Sequence, residues 1–583
     1  MPLSAAITKD SQKGHLSSFV GSQSCFVVFL CVLSLLFLSS CGFSVGGHSS
    51  STATITISPV NSSIQSGSTQ QYTAVVSNTS NSATTWSASG GSISSTGLFT
   101  PPVVSQKTTF TVTATSVADP TVSASTSITV MVASTHAATI PSTFFGIESL
   151  PPGSNGGTTY PSALSFGTYR LFNPERGMGW NSQNPTNGSY NWSILDTALA
   201  NLFSHNITDG VVYTIAAVPS WASSKPTDTN CDFLAPGGCD LPGDIASDGS
   251  GTDGTYITFI RALASHVNDP TYLLTHAHIK YYEPWNEWYR NPVLGTMYAT
   301  CESGTGRCSI HATYAQMVRM TEDLRCAVTG TGTVDGSPCA YSAIDATARI
   351  LTPGSDGSSY GAAVLEDFLH CDSSPYAGSL CTTGDRGRNA VDALNFHLYV
   401  SGLPAEDVVT QVAQIKSVLN SADLAVPLWS GEGGWLGDST LSDPDQQAAF
   451  VARYYLLGWS AGLSGMTWYE FENPVYGTLC TPQANCTLNA AGIAYRQVYS
   501  WMVGNVLSSC SATGTIYTCP IAKPDGTQML AMWDTSQSCS NGVCSTVELA
   551  VDPKYTQYRD LLGNMASIPN STIPIGAKPI LLN

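Results

Sequence analysis

Eight short apolar runs, each separated from the next by a longer segment, constrain this chain more than any other feature. They are Phe144 to Glu148, Thr168 to Phe172, Gly210 to Val218, Ile279 to Glu287, Arg349 to Pro353, Ala393 to Val400, Val426 to Glu432 and Gly465 to Phe471. Short and largely apolar, they read as buried strands. Several of the intervening segments carry apolar residues at helical spacing: Ile194 to His205, Tyr256 to Val267, Tyr314 to Val328, Ala405 to Leu419 and Asp445 to Ala461. The last opens with an acidic first turn, a helix start signal. Eight strand–helix units over about 360 residues predict a (β/α)8 barrel with decorated loops, spanning residues 140–500.

Both flanks read as all-β. Residues 52–133 alternate polar and apolar in Thr52 to Ile57, Thr109 to Thr115 and Ser127 to Val130, with turn-formers between, which predicts a small β-sandwich. The stretch Thr85 to Ile93, containing Trp86, followed by Thr96 to Pro102, resembles bacterial Ig-like domains; that resemblance implies a spacer with Trp86 in its core. From Trp501 the pattern changes again to short alternating runs, Thr527 to Trp533, Ser545 to Val551 and Ile580 to Leu582. Residues 501–583 are expected to form a small C-terminal β-sandwich whose final strands pair near the start of the barrel.

The N-terminus reads as an export signal. Lys9 and Lys13 precede thirteen apolar or small residues, Phe26 to Leu38, too few for the roughly 20 that span a bilayer as a helix. Leu38-Ser39-Ser40-Cys41-Gly42 resembles a bacterial lipobox. That resemblance implies a signal over residues 1–41, lipidation at Cys41, a Gly/Ser tether over 42–51, and a cell-envelope lipoprotein; a secreted protein is the alternative. Of 17 cysteines, Cys25, Cys31 and Cys41 fall in this leader, leaving fourteen. These lie as near neighbours: Cys231 with Cys239, Cys301 with Cys308, Cys326 with Cys339, Cys371 with Cys381, Cys480 with Cys486, Cys510 with Cys519, and Cys539 with Cys544. An even count without zinc-type Cys-x-x-Cys spacing predicts disulfides and an oxidising compartment. Neighbour pairing is the simplest connectivity. Charged residues are only 11% of the chain and the net charge is −18, a surface that repels nucleic acid.

Glutamates end the fourth and the seventh of the strand-like runs. Glu287 closes Tyr281-Tyr282-Glu283-Pro284-Trp285-Asn286-Glu287, and Glu432 closes Val426-Pro427-Leu428-Trp429-Ser430-Gly431-Glu432. Two carboxylates converging at the C-terminal mouth of a barrel suit glycosidic bond cleavage, in which one protonates the leaving oxygen and the other attacks or stabilises the sugar cation.

The Trp285-Asn286-Glu287 triplet with a distant glutamate resembles clan A glycoside hydrolases. The likeness is most specific to family thirty-nine, running from Phe145 to Trp501 through Phe145-Gly146, Tyr169-Arg170-Leu171-Phe172, Tyr190 to Asp196 and Tyr213 to Ala222. The resemblance implies Glu287 as acid/base at the end of strand four, Glu432 as nucleophile at the end of strand seven, and retention of configuration. Glu470 and Glu472 are rivals for the nucleophile, and Glu283 reads as structural. The resemblance further implies that Asn286 binds the sugar 2-hydroxyl and that Arg170 sits against the nucleophile. His397 and Tyr399 share one strand face and are expected to bind substrate or nucleophile, with a core role for His397 as the alternative. Trp468 is expected to form the sugar platform, with Trp221, Trp288 and Trp435 extending the cleft. Two departures bear on the substrate: Trp288 follows the acid/base where relatives often carry proline, and glycines flank Glu432. β-Xylosidase, α-iduronidase and endo-glycanase readings stay open. No metal or organic cofactor is implied, and the chain is expected to be a monomer acting on carbohydrate. A non-catalytic glycan-binding surface lipoprotein on the same scaffold is the alternative; both glutamates being present argues against it.

Overall fold

The computed structural model describes residues 53–60, 62–65, 69–102, 108–131, 139–149, 163–232, 234–288, 308–357, 359–371, 385–400, 404–422, 424–435, 441–471, 477–481 and 487–583. The leader, Cys41, the 42–51 tether and Glu472 lie outside these residues.

Eight parallel strands form one curled sheet: β1 (Phe145–Glu148), β2 (Thr168–Leu171), β3 (Val211–Thr214), β4 (Ile279–Glu283), β5 (Arg349–Ile350), β6 (Leu394–Tyr399), β7 (Leu428–Gly434) and β8 (Gly465–Tyr469). Hydrogen-bonded order runs β5-β4-β3-β2-β1-β8-β7-β6. Leu351 bridges Ala393, and Asp356 bridges His397, both in parallel sense, so the chain leaving β5 meets β6 and closes the ring. β1, β2, β3 and β7 are buried along their whole length, as strands sandwiched between an inner packing layer and outer helices must be. The interior is tight: a Cβ on Gly146 of β1 would lie 2.6 Å from Thr168 Oγ1 and 2.7 Å from Thr467 Oγ1.

Helices α1 (Ser193–Ser204), α2 (Gly254–Val267), α3 (Tyr314–Thr329), α4 (Ser359–His370), α5 (Asp407–Ser421), α6 (Pro444–Ala461) and α7 (Ala490–Met502) follow β2 through β8 in turn. Their starts are written in the sequence. Thr313 and Gln316 form a reciprocal capping box on α3, Asp443 caps α6 ahead of Pro444, and Asn489 caps α7. Gly330 and Gly462, at φ +65° and +97°, end α3 and α6 in the left-handed conformation that glycine adopts without strain. On α5 the apolar stripe Val408, Val412, Ile415, Val418 and Leu419 is the buried face.

At the two predicted catalytic glutamates the strand ends move. β4 stops at Glu283, because Pro284 has no N–H for the ladder; Glu287 therefore sits four residues beyond the strand, with φ +39°. β7 instead runs past Glu432 to Gly434.

The N-terminal segment is all sheet. Ser62–Gln65, Ser123–Met131, Thr108–Ser116 and Thr84–Ala88 form a four-stranded sheet in that order. Thr54–Ser58 pairs with Thr73–Ser77. Ile57, Tyr72, Phe99, Val112, Ala114, Ile128 and Val130 make its core, and Trp86 packs against them half-buried.

At the C-terminus, strands Ile516–Ala522, Gln528–Asp534, Ile580–Leu582 and Gln557–Arg559 are consecutive neighbours in an antiparallel sheet. The expected pairing of its last strand with the start of the barrel is corrected. Ile580–Leu582 lies inside this sheet, and it is Val503 that bridges Ile140. The sheet nonetheless shares the barrel's core through Ile521, Ala531, Trp533 and Leu581.

Disulfides join Cys231–Cys239, Cys326–Cys339, Cys510–Cys519 and Cys539–Cys544. Cys308, Cys371 and Cys480 are disulfide-bonded too, while Cys301, Cys381 and Cys486 lie outside the described residues. Such bridges fit an extracytoplasmic protein. Among the described residues no helix is long and apolar enough to cross a membrane.

Candidate active site

Arg170, fully buried on β2, organises the C-terminal mouth of the barrel. Its Nε donates to Glu283 Oε2 at 2.9 Å. Nη1 donates to Glu148 Oε2 and to Glu432 Oε1, each at 2.6 Å, and Nη2 donates to Asn286 Oδ1 at 2.7 Å. One guanidinium thus ties together the ends of β1, β4 and β7. A planar fork of five donors suits this better than a lysine ammonium would. Glu283 is held further by Thr214 Oγ1 at 2.6 Å and Asn395 Nδ2 at 2.9 Å, so its oxygens are committed to the scaffold.

Glu432 is held from both sides. Oε1 takes the Arg170 bond and Oε2 accepts from Tyr399 OH at 2.9 Å. His397 Nδ1 stands 3.0 Å from Glu287 Oε1 and 3.3 Å from Glu432 Oε2. The liganding atoms of Glu287, His397 and Glu432 all lie within 4.8 Å of one another. Glu287 is the more accessible carboxylate, its side chain 19% exposed against 7% for Glu432. Its loop is pinned from behind: Ser309 Oγ donates to the Glu287 carbonyl, Trp285 Nε1 donates to Ser309 O at 3.1 Å, and Gly354 N donates to Trp285 O at 3.1 Å.

The imidazole of His397 feels opposing influences. Burial pulls its pKa down, but Glu432 and Glu287 push it up by more, so it lies above its ordinary value. Tyr399 is pushed well up by burial and by the same two carboxylates, so its phenol stays a donor to Glu432. Asn286 gives its carbonyl to Arg170, which fixes the amide's orientation and leaves its NH2 as a donor for a ligand.

Glu287, Glu432, Asn286, Arg170, His397 and Tyr399 are therefore brought together. Trp468 is not. It is fully buried, and its indole N–H donates to Gly477 O at 2.6 Å. Its ring packs on Trp435, Tyr454 and Tyr455 at 5.3, 5.7 and 6.3 Å. Strand alternation is the reason: Thr467 faces Gly146 inside the barrel, so Trp468 faces the helices and Tyr469, half-buried, returns to the mouth. Trp288 and Trp435 are buried as well, packed on Tyr314 and Phe450; Trp221 is half-buried. Sequence reasoning missed Glu148, although it closes an apolar strand just as the other two glutamates were read to do.

Glu287, His397 and Glu432 are spaced closely enough to ligate a metal ion. Arg170 and Tyr399 already donate to both oxygens of Glu432, which fits a hydrogen-bonded carboxylate better than a metal ligand.

No protein-family model and no curated protein matches the chain. Solved structures do. A family 39 glycoside hydrolase from the gut symbiont Bacteroides cellulosilyticus WH2 aligns at TM-score 0.49 and 14% identity, over 83% of this chain and 89% of that one. A conserved exported protein from Bacteroides fragilis aligns at 0.48 and 11%, over 72% and 88%. A glucosidase from Croceicoccus marinus aligns at 0.43 and 11%, over 75% and 94%.

Proposed function

We propose that this chain is a retaining glycoside hydrolase, with Glu432 as nucleophile and Glu287 as acid/base. The observation that carries the reading is the spacing of the two carboxylates, with liganding oxygens within 4.8 Å. Retaining enzymes hold their pair about 5–5.5 Å apart, whereas inverting enzymes leave about 6.5–9.5 Å for an intervening water.

In the first step Glu432 attacks the anomeric carbon while Glu287 gives its proton to the departing oxygen. Arg170 and Tyr399 hold and aim Glu432 by donating one bond to each of its oxygens. Loss of the leaving group leaves Glu287 ionised beside His397, whose raised pKa favours the imidazolium that offsets this charge. In the second step Glu287 takes a proton from water, which attacks the glycosyl ester and frees Glu432. The Asn286 NH2, aimed by Arg170, is the donor available to a sugar hydroxyl.

The proposal extends to the whole chain: an Ig-like N-terminal spacer, a lipid anchor at Cys41 and a monomeric enzyme acting on carbohydrate outside the cytoplasm. Purified mature protein assayed on a panel of aryl glycosides and polysaccharides tests it. Turnover of at least one substrate, abolished in Glu432→Gly, is expected. Saturable glycan binding without turnover would support the binding-protein alternative instead.

A further inference from the structure

Glu148 has no part in the double displacement, yet it is among the most constrained side chains of the mouth. It closes β1 fully buried, and its Oε2 lies 2.6 Å from the same Arg170 Nη1 that holds Glu432 Oε1, also at 2.6 Å. Its Oε1 is buried with no hydrogen-bond partner. Besides Arg170, the ionisable groups acting on this site are Glu432 of β7, Glu470 beyond β8 and Tyr399 of β6.

One guanidinium therefore serves three buried carboxyl groups: Glu148, Glu283 and Glu432. Glu283 has donors on both oxygens from Thr214, Asn395 and Arg170, and Glu432 has Arg170 and Tyr399. Both can carry a charge. Glu148 has one donor, shared. Ionised, it would leave a buried anionic oxygen without a hydrogen bond, which costs more than a neutral hydroxyl lacking an acceptor.

We propose that Glu148 is a positioning residue for the nucleophile, a neutral carboxyl whose carbonyl oxygen Oε2 accepts from Arg170 Nη1 and holds the guanidinium against Glu432 without competing for its charge. The inference rests on the assignment of Glu432 above. Burial, against the pull of Arg170 and together with Glu432 and Glu470, holds the Glu148 carboxyl well above the usual range, in line with this geometry.

The test uses Glu148→Gln, which keeps the accepting oxygen, and Glu148→Leu, which removes it. Infrared difference spectra of wild type minus Glu148→Gln at pH 7 are expected to show the carbonyl band of a protonated carboxylic acid. This arm needs no substrate, so it separates failure of this inference from failure of the glycosidase reading. Where a substrate is in hand, Glu148→Gln is expected to leave the acid limb of kcat/KM, which reports ionisation of Glu432, where it is in wild type. Removing an ionised Glu148 would take a like charge out of the site and move that limb to lower pH. Glu148→Leu is expected to lower kcat by roughly 10- to 100-fold with little change in KM, and Glu148→Gln to retain most of the activity. Absence of the acid band, or a downward shift of the acid limb in Glu148→Gln, overturns the proposal.

Discussion

At the scale of single residues the mouth is set by what is small as much as by what is charged. The glycines around Glu432 face neighbours that leave no room for a side chain. A Cβ on Gly433 would lie 2.7 Å from Leu398 O and closer still to the Tyr454 hydroxyl, and one on Gly431 would meet the Asn395 amide. Gly433→Ala is expected to destabilise the protein by about 1–3 kcal/mol, read from urea unfolding. Gly354 is equally tight, since a Cβ there would lie 2.6 Å from Glu283 Oε1 and 2.7 Å from His397 Nε2. His397 also predicts a pH dependence. Its pKa is raised in the fold, so the stability it contributes is fully present below the unfolded value, about 6.5, and is lost as pH rises through the folded value. The stability gap between wild type and His397→Asn should therefore be larger at pH 5.5 than at pH 9. A gap that widened toward pH 9 would mean that the imidazole is held neutral.

Among the elements, strands and helices were legible in the sequence because apolar runs and helical periodicity report burial directly. The five predicted helices match α1, α2, α3, α5 and α6 to within two residues at each end. Which way a side chain points at the end of a strand was harder to read. Trp468 and Tyr469 differ by one residue, and strand parity alone sends the first to the helices and the second to the mouth. Arg170 and Tyr399 could be placed beside Glu432 from motifs. Glu148 could not, because only the closed ring brings β1 and β7 around one guanidinium. A second buried carboxyl pair was likewise invisible in the sequence. Asp253, at the start of α2, is fully buried. It is pushed well up by burial and by Asp323 of α3, which itself rises to about 6, chiefly through burial. A raised carboxyl favours the fold below its unfolded pKa and loses that contribution as pH climbs through the folded value. Asp253→Asn, a mimic of the protonated form, should raise the melting temperature at pH 8 and leave it nearly unchanged at pH 4. A lower melting temperature at pH 8 would show that the charge is needed.

For the whole molecule, the barrel and the C-terminal sheet pack against each other around one shared core. Trp533 Nε1 donates to Glu406 at 2.8 Å, Arg453 Nε to Ala577 O at 2.9 Å, and Lys578 Nζ to Asp445 at 2.7 Å. Apolar residues from both bodies share one core. Truncation after residue 505 should expose that shared surface and give aggregated protein, whereas residues 139–583 should unfold in a single cooperative transition by calorimetry. The central claim, that Glu432 attacks and Glu287 transfers the proton, is tested most directly by the stereochemistry of azide rescue. Glu432→Gly removes the nucleophile and leaves space near the anomeric carbon, so azide should restore turnover and give a glycosyl azide of inverted configuration. In Glu287→Ala an activated aryl glycoside still forms the intermediate, because its leaving group needs little protonation, and azide should give a product of retained configuration. Wild-type turnover in both variants, or the opposite pairing of configurations, would contradict the account.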